Sequence, residues 1–129
     1  MNFAILQSVT QALTDQGKHI FTTLNGLFPL FHSVKEFMAS KEEGQSQEHN
    51  HSFDLMTFRQ DAIVEFEDDE GNQKKIACNE RYYVPSEITW LLKTLGYQTI
   101  DIFGAKLGQF SRSHQLTTKD FEMLVIAKQ

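Results

Sequence analysis

The chain has 129 residues, of which 40% are hydrophobic and 22% charged, with a formal net charge of −5. Its length suits one domain, and no apolar run approaches the roughly 20 residues that cross a bilayer, so no membrane association is expected. The acidic balance without a basic patch argues against a nucleic-acid binder. The single cysteine, Cys78, excludes an internal disulfide and favours a reducing, cytoplasmic location.

The first segment predicts a helix followed by a buried strand. Apolar residues recur at helical spacing from the start: Phe3, Ile5, Leu6, Val9 and Leu13. This helix is expected to end near residues 15–17. Residues 19–24 are rich in β-branched and aromatic side chains between glycine turns, which is typical of a strand. Pro29 breaks the apolar segment that follows, and residues 33–39 could form a short helix. Residues 1–39 therefore predict one part of an α/β core.

The middle of the chain changes character twice. Residues 40–52 contain no large apolar side chain and predict a flexible polar loop. From residue 53 onward apolar and polar residues alternate, with turn-forming residues at 68–72, which predicts an antiparallel meander of two to four strands over residues 53–84. Because the meander separates two α/β portions, we expect it to be an insertion.

Residues 85–129 predict the last helix and the last two strands of the α/β core. Four branched apolar residues share one helical stripe: Ile88, Leu91, Leu92 and Leu95. Pro85 suits the first turn of this helix, and Gly96 suits its left-handed end. Two strand-like runs follow, at 99–103 and 121–127. The second is almost continuously apolar, as in a strand that is covered on both faces. The loop between them carries Gly104, Gly108, Ser111, Arg112 and Ser113.

The order of these segments resembles the C-terminal half of class I S-adenosylmethionine-dependent methyltransferases. The turn Gly17-Lys18 with the strand HIFTTLN resembles the fifth strand of that family, although Gln16 stands where the family has a second glycine. The last helix, sixth strand and antiparallel seventh strand of that family are similar to two segments of this chain, YYVPSEITWLLKTLGYQTIDIFG and DFEMLVIAKQ. The resemblance implies an α/β fold: strands 5, 7 and 6 of a Rossmann-like sheet with flanking helices, plus the inserted meander.

The resemblance also implies S-adenosylmethionine as the cofactor of the full-length protein. Such sites need a glycine-rich turn after the first strand and an acidic residue after the second. No G-x-G-x-G occurs in the chain, and Gly104 and Gly108 have the wrong spacing. We therefore expect the C-terminal portion of a small-molecule methyltransferase that lacks its cofactor-binding half, binds no cofactor alone and is inactive alone. Whether the chain itself is an enzyme stays open, and a noncatalytic binding or dimerisation module is the alternative.

The loop after the fifth strand and the meander surround the substrate in such a family. The substrate-binding residues implied in this way are Asn25, Phe28, Arg59, Arg81, Tyr82 and Tyr83. The two arginines could hold a carboxylate or phosphate bidentately. The alternative is that the arginines form exposed ion pairs with Asp61, Glu65 or Glu80, and that the tyrosines pack in a core.

Three other features are weaker candidates. His32 could act as a general base, or could pack beside the neighbouring phenylalanines, so no catalytic residue is assigned firmly. His49 and His51 lie near Glu48 and Asp54, but zinc needs about four ligands in tetrahedral geometry, and we expect a solvated linker without metal. Cys78 has no flanking histidine to activate it and is not favoured as a nucleophile.

A partner contact is expected at the first strand. Without a fourth strand beside it, the segment at 18–24 becomes an edge strand whose only charge is Lys18. An unprotected apolar edge invites pairing with another chain. The sequence therefore predicts a homodimer, or a complex with a partner chain, joined through residues 18–24.

Overall fold

A computed structural model describes residues 3–32 and 51–129. In chain order the elements are α1 (Phe3–Ala12), β1 (Lys18–Leu24), α2 (Leu27–Phe31), β2 (His51–Asp54), β3 (Arg59–Glu67), β4 (Gln73–Arg81), α3 (Pro85–Thr94), β5 (Thr99–Lys106), β6 (Gln109–Phe110) and β7 (Glu122–Lys128). Within the described ranges, every helix is too short to cross a bilayer.

The chain forms two compact units. Unit 1 comprises Met1–Phe28 and Tyr83–Gln129, and unit 2 comprises Pro29–Tyr82. The short helix expected at 33–39 lies outside the described residues. So does the polar loop expected at 40–52, except for its last two positions, which begin β2.

Unit 1 contains a four-stranded sheet in the order β1-β7-β5-β6. Strand β7 runs antiparallel to both of its neighbours, with Ile126 opposite Ile20 of β1 and opposite Asp101 of β5. The antiparallel pairing expected between the segments at 20–24 and 123–126 is confirmed. Because β1 and β5 are both antiparallel to β7, these two strands run in the same direction.

The main core of unit 1 lies between one face of this sheet and the helices α1 and α3. Leu6 of α1 and Ile88 and Leu92 of α3 are 0–1% exposed. Alternate residues of β7 complete the cluster: Met123, Val125 and Ala127. The apolar stripes of the two helices and the alternate apolar residues of β7 therefore pack together in one core. Gly96 has φ 94° just beyond α3, in the left-handed conformation that the sequence predicted there.

A second, smaller cluster occupies the opposite face of the same sheet. It consists of Ala105, Leu124 and Ile126, with Phe103 packed against them. Both faces of β7 are therefore covered, which agrees with its almost continuous apolar sequence.

A buried polar chain joins β1 to α1 and to the segment after α3. The hydroxyl oxygen of Tyr97 lies 3.2 Å from Nδ1 of His19, and the Thr10 hydroxyl lies 3.0 Å from the Tyr97 oxygen. His19 is 9% exposed, and burial lowers its pKa. A neutral imidazole can accept a hydrogen bond at Nδ1 from the Tyr97 hydroxyl.

The stability of unit 1 is therefore expected to depend on His19 protonation. The pKa of His19 in the folded protein lies below its unfolded value of about 6.5, so the unfolded chain binds the proton more readily. The free energy of unfolding therefore falls as the pH falls from about 6.5 toward the folded pKa. We expect the urea midpoint to decrease on going from neutral to mildly acidic pH. A His19→Gln variant should show a smaller decrease, and an identical pH profile in the two proteins would contradict this role.

Unit 2 contains the meander, a three-stranded antiparallel sheet in the order β2-β3-β4. The expected turn at 68–72 is present. The Asp68 carboxylate accepts hydrogen bonds from the backbone N–H groups of Glu70 and Asn72, at 3.0 and 2.8 Å, and Gly71 has φ 83°. This is a turn in which an aspartate replaces a backbone acceptor.

Between β2 and β3 the Asp54 carboxylate accepts the Met56 N–H and the Thr57 hydroxyl and turns the chain. Two local expectations were wrong. Pro29 does not break the apolar segment but lies inside α2, within the first turn of the helix, where its missing N–H leaves no bond unmade. Gly104 lies within β5, not in the loop that follows.

Candidate functional site

The candidate site lies at one edge of the sheet of unit 1. Because β1 and β5 run in the same direction, their carboxyl ends lie at the same edge, which is where open α/β sheets bind ligands. Asn25 directly follows β1, Gly104 lies near the end of β5, and Asp120 lies just before β7.

Asn25 holds this edge together. Its side chain is completely buried, and its amide nitrogen donates to the carbonyl oxygens of Asp120 and Thr117, at 2.8 and 3.2 Å. Its amide oxygen accepts the Leu27 N–H at 3.1 Å. Asn25 thus ties the end of β1 to the loop before β7 through hydrogen bonds to backbone groups.

A histidine and a carboxylate form a pair beside it. Nε2 of His114 donates to Asp120 Oδ1 at 2.7 Å, while Asp120 Oδ2 accepts the N–H and the hydroxyl of Thr117, at 2.7 and 3.1 Å. The Asp120 side chain is 3% exposed and that of His114 34%. Burial by itself would raise the pKa of Asp120, but the hydrogen bonds from His114 and Thr117 together hold it below its usual value.

Gly104 makes room for this pair. A Cβ atom added to Gly104 would lie 2.3 Å from Cδ2 of His114 and 2.6 Å from Oδ2 of Asp120. A glycine inside a strand often marks such a close approach of another group. The Cδ2–Nε2 side of the imidazole therefore lies against β5 and Asp120.

A cavity of about 460 Å³ opens at the end of β5. Its lining residues are Ala105, Lys106, Leu107, Lys119, Asp120, Phe121 and Glu122. A volume of this size suits a small molecule, and the lining combines apolar residues with two lysines and two acidic residues. The described part of the chain shows no ion pair for Lys106 or Lys119.

Three of the predicted substrate-binding residues lie near the end of β1. Asn25 and Tyr83 form a parallel bridge: the Tyr83 N–H donates to the Leu24 carbonyl at 3.0 Å, and the Gly26 N–H donates to the Tyr83 carbonyl at 2.9 Å. The ring of Phe28 meets that of Phe121 edge to face, with 5.4 Å between the ring centres. Asn25 and Tyr83 are buried, and their contact with a substrate stays a prediction.

Unit 2 brings the two predicted arginines together. Arg59 lies directly opposite Arg81 in the β3–β4 ladder. The Arg59 guanidinium donates to the side-chain oxygen of Asn79 at 2.5 Å, and Asn79 donates to Asp61 at 2.6 Å. Arg81 donates to the carbonyl oxygen of Tyr82. Arg59 is thus linked to Asp61 through the side chain of Asn79. This arrangement differs from the direct Arg59–Asp61 ion pair that the sequence offered as an alternative.

Tyr82 is a packed residue of unit 2. It is 1% exposed, its hydroxyl donates to Gln60 Oε1 at 2.8 Å, and its ring lies edge to face with that of Phe53. Burial, aided by the charge of Glu80, raises the pKa of Tyr82 to about 12. It is therefore a neutral phenol at physiological pH. Its predicted contact with a substrate stays a prediction.

The remaining candidates are histidines. His32 follows α2 and is half-buried, and its role as a general base stays a prediction. His49 and the side chain of His51 lie outside the described residues. In the ranges that the structure covers, no three His, Cys, Asp or Glu side chains are placed to hold a metal ion.

The His114–Asp120 pair was not predicted from the sequence. Five residues separate His114 from Asp120, and no local pattern marks a histidine whose partner is a buried carboxylate. One signal was present, however. Gly104 interrupts a strand-like run, and an interior strand glycine indicates that something packs closely against the backbone.

No protein-family model and no curated protein matches the sequence. Solved structures do match. The CcbJ methyltransferase from Streptomyces caelestis superposes with a TM-score of 0.65 at 11% identity, over 98% of this chain and 52% of its own. An S-adenosylmethionine-dependent methyltransferase from Clostridium acetobutylicum ATCC 824 superposes with a TM-score of 0.64 at 14% identity. This match covers 98% of this chain and 50% of the other. The chain has a methyltransferase-like fold. It spans about half the length of each of these two proteins.

The described residues do not fit S-adenosylmethionine. The turn after β1 contains one glycine, Gly26, and the preceding Asn25 uses its side chain to hold the neighbouring loop. The buried carboxylate at this edge, Asp120, is already bonded to His114 and Thr117, so it is not available to ribose hydroxyls. A cofactor of this kind needs a glycine-rich turn whose backbone can approach the ligand, and a free carboxylate that can bind the ribose hydroxyls.

Proposed function

We propose that this chain is the C-terminal portion of an S-adenosylmethionine-dependent methyltransferase that acts on a small molecule, and that it is inactive without a cofactor-binding half. The observation that carries the proposal is the superposition of 98% of the chain on about half of two solved methyltransferases. In this assignment β1, β7 and β5 correspond to strands 5, 7 and 6 of a Rossmann-like sheet.

The contribution of this half would be to bind and orient the methyl acceptor. The cavity at the end of β5 and the facing arginines Arg59 and Arg81 are the places where the described residues offer cationic groups to a small ligand. Methyl transfer gains mainly from holding the two reactants in line, so positioning is the chemistry we assign to these residues. We place the protein in the cytoplasm, because its one cysteine needs no oxidising compartment.

A noncatalytic binding or dimerisation module remains the second candidate. The observation in its favour is that β1 lies at the outside of its sheet. A module of this kind would bind its partner without needing a cofactor.

Calorimetry of the isolated chain with S-adenosylhomocysteine tests whether the cofactor site lies outside this chain. We expect no saturable heat up to ligand concentrations of about 1 mM, which corresponds to less than roughly 4 kcal/mol of binding free energy. The same protein must show a cooperative thermal transition, which establishes that it is folded. Stoichiometric binding by the chain alone would contradict the assignment of the cofactor site to another half.

A further inference from the structure

The cavity at the end of β5 is bordered by charged side chains of both signs that do not pair with one another. Lys106, Lys119 and Glu122 all line it. Within residues 3–32 and 51–129, none of these three side chains forms an ion pair. The two lysines are exposed and Glu122 is half-buried. Two positive groups and one negative group therefore border the same space without direct contact.

The fourth charged residue of the lining, Asp120, is already occupied. Its side chain is 3% exposed, and its two carboxylate oxygens bond to His114 and Thr117. A ligand that drew this carboxylate away would leave those partners without their hydrogen bonds, which is costly for buried groups. Glu122 is therefore the negative group that the cavity offers to a ligand.

The wall of the cavity carries apolar surface that lies in water. Leu107, in the turn between β5 and β6, is 99% exposed, and Phe121 is 46% exposed. The Phe121 ring is held edge to face against Phe28, with 5.4 Å between the ring centres. A ligand with an apolar body would remove this surface from water, which stabilises the complex.

We propose that the cavity binds a small zwitterion with an apolar body, the chemistry of an apolar α-amino acid. The ligand carboxylate accepts hydrogen bonds from Lys106 and Lys119, its ammonium group donates to Glu122, and its apolar part covers Leu107. Hydrogen bonds between ionised groups are the strong ones in proteins. The volume of about 460 Å³ lies within the usual range of small-molecule sites.

The separation of the charges is what selects a zwitterion. A ligand with only a carboxylate would leave Glu122 without a partner and place a second negative charge beside it. A ligand with only an ammonium group would do the same to the two lysines. Like charges brought together oppose binding, so each of these ligands should bind more weakly than the zwitterion. The identification of this zwitterion as the methyl acceptor rests on the proposed function, whereas its binding depends on the cavity alone.

Nuclear magnetic resonance titration of the full chain tests the proposal with three matched probes. These are L-phenylalanine, 3-phenylpropionate, which lacks the ammonium group, and 2-phenylethylamine, which lacks the carboxylate. We expect L-phenylalanine to shift the amide signals of Ala105 and Phe121 with half-saturation below about 10 mM. The other two probes should bind at least about tenfold more weakly. No saturable shift with L-phenylalanine, or equal affinity for 3-phenylpropionate, would overturn the proposal.

Charge-neutral variants locate the two ends of the ligand. Glu122→Gln should weaken L-phenylalanine at least about tenfold and leave 3-phenylpropionate no weaker than before. The double variant Lys106→Gln, Lys119→Gln should weaken L-phenylalanine by a similar factor and leave 2-phenylethylamine no weaker than before. The matched control is Lys93→Gln, because Lys93 is an exposed lysine of α3. An equal loss of affinity in the control would show that overall charge, and not the cavity, binds the probe.

The probe comparison needs no substitution, so it decides the proposal even where a variant fails to fold. Its outcome is also independent of the proposed function. Selective binding of L-phenylalanine by a chain that cannot support S-adenosylhomocysteine binding within a methyltransferase removes the proposed function and leaves the zwitterion site standing. The absence of selective binding removes the zwitterion site, whatever the methyltransferase test gives.

Discussion

A Gly104→Ala variant is expected to lose about 3 kcal/mol of unfolding free energy, although only one methyl group is added. The new Cβ would lie 2.3 Å from the His114 ring and 2.6 Å from the Asp120 carboxylate. Both side chains are held in place by hydrogen bonds, so they can move aside only if the bonds of Asp120 to His114 and Thr117 weaken. Urea unfolding followed by circular dichroism measures the effect.

A double-mutant cycle with His114→Ala identifies the cause. Removing the imidazole removes the closer of the two contacts, so Gly104→Ala should cost about half as much in the His114→Ala background as in the wild type. Equal costs in both backgrounds would show that the ring does not press against β5.

Leu92→Ala should destabilise unit 1 by a similar amount, about 3 kcal/mol. Leu92 is completely buried between α3 and the sheet, and its truncation leaves a cavity among side chains such as Val125. The matched control is Trp90→Ala on the same helix, because Trp90 is 74% exposed and should change stability by less than about 0.5 kcal/mol. Equal losses for the two variants would contradict the orientation of α3.

Most elements of unit 1 could be predicted because their signals are local. The apolar stripe of α3, its proline at the start and Gly96 at its end specify one helix without reference to the rest of the chain. The continuous apolar character of β7 likewise indicates a strand with two covered faces. The pairing of β1 with β7 was inferred from the family resemblance and agrees with the structure.

Contacts in which a side chain replaces a backbone partner could not be predicted. The alternating pattern gave no sign of the turn at Asp54, whose carboxylate competes for the N–H of Met56. The candidate site is harder still. The bonds of Asn25 to the loop before β7 join residues more than 90 positions apart, and nothing in the local sequence specifies such a contact.

A chimera tests the proposal that this chain forms the C-terminal part of a methyltransferase sheet. The half of the Clostridium acetobutylicum methyltransferase that this chain matches is replaced by this chain, and S-adenosylhomocysteine binding is measured by calorimetry. We predict stoichiometric binding by a chimera that unfolds cooperatively. If the chimera folds cooperatively but gives no saturable heat, while the parent enzyme does, the proposed role of this chain is wrong.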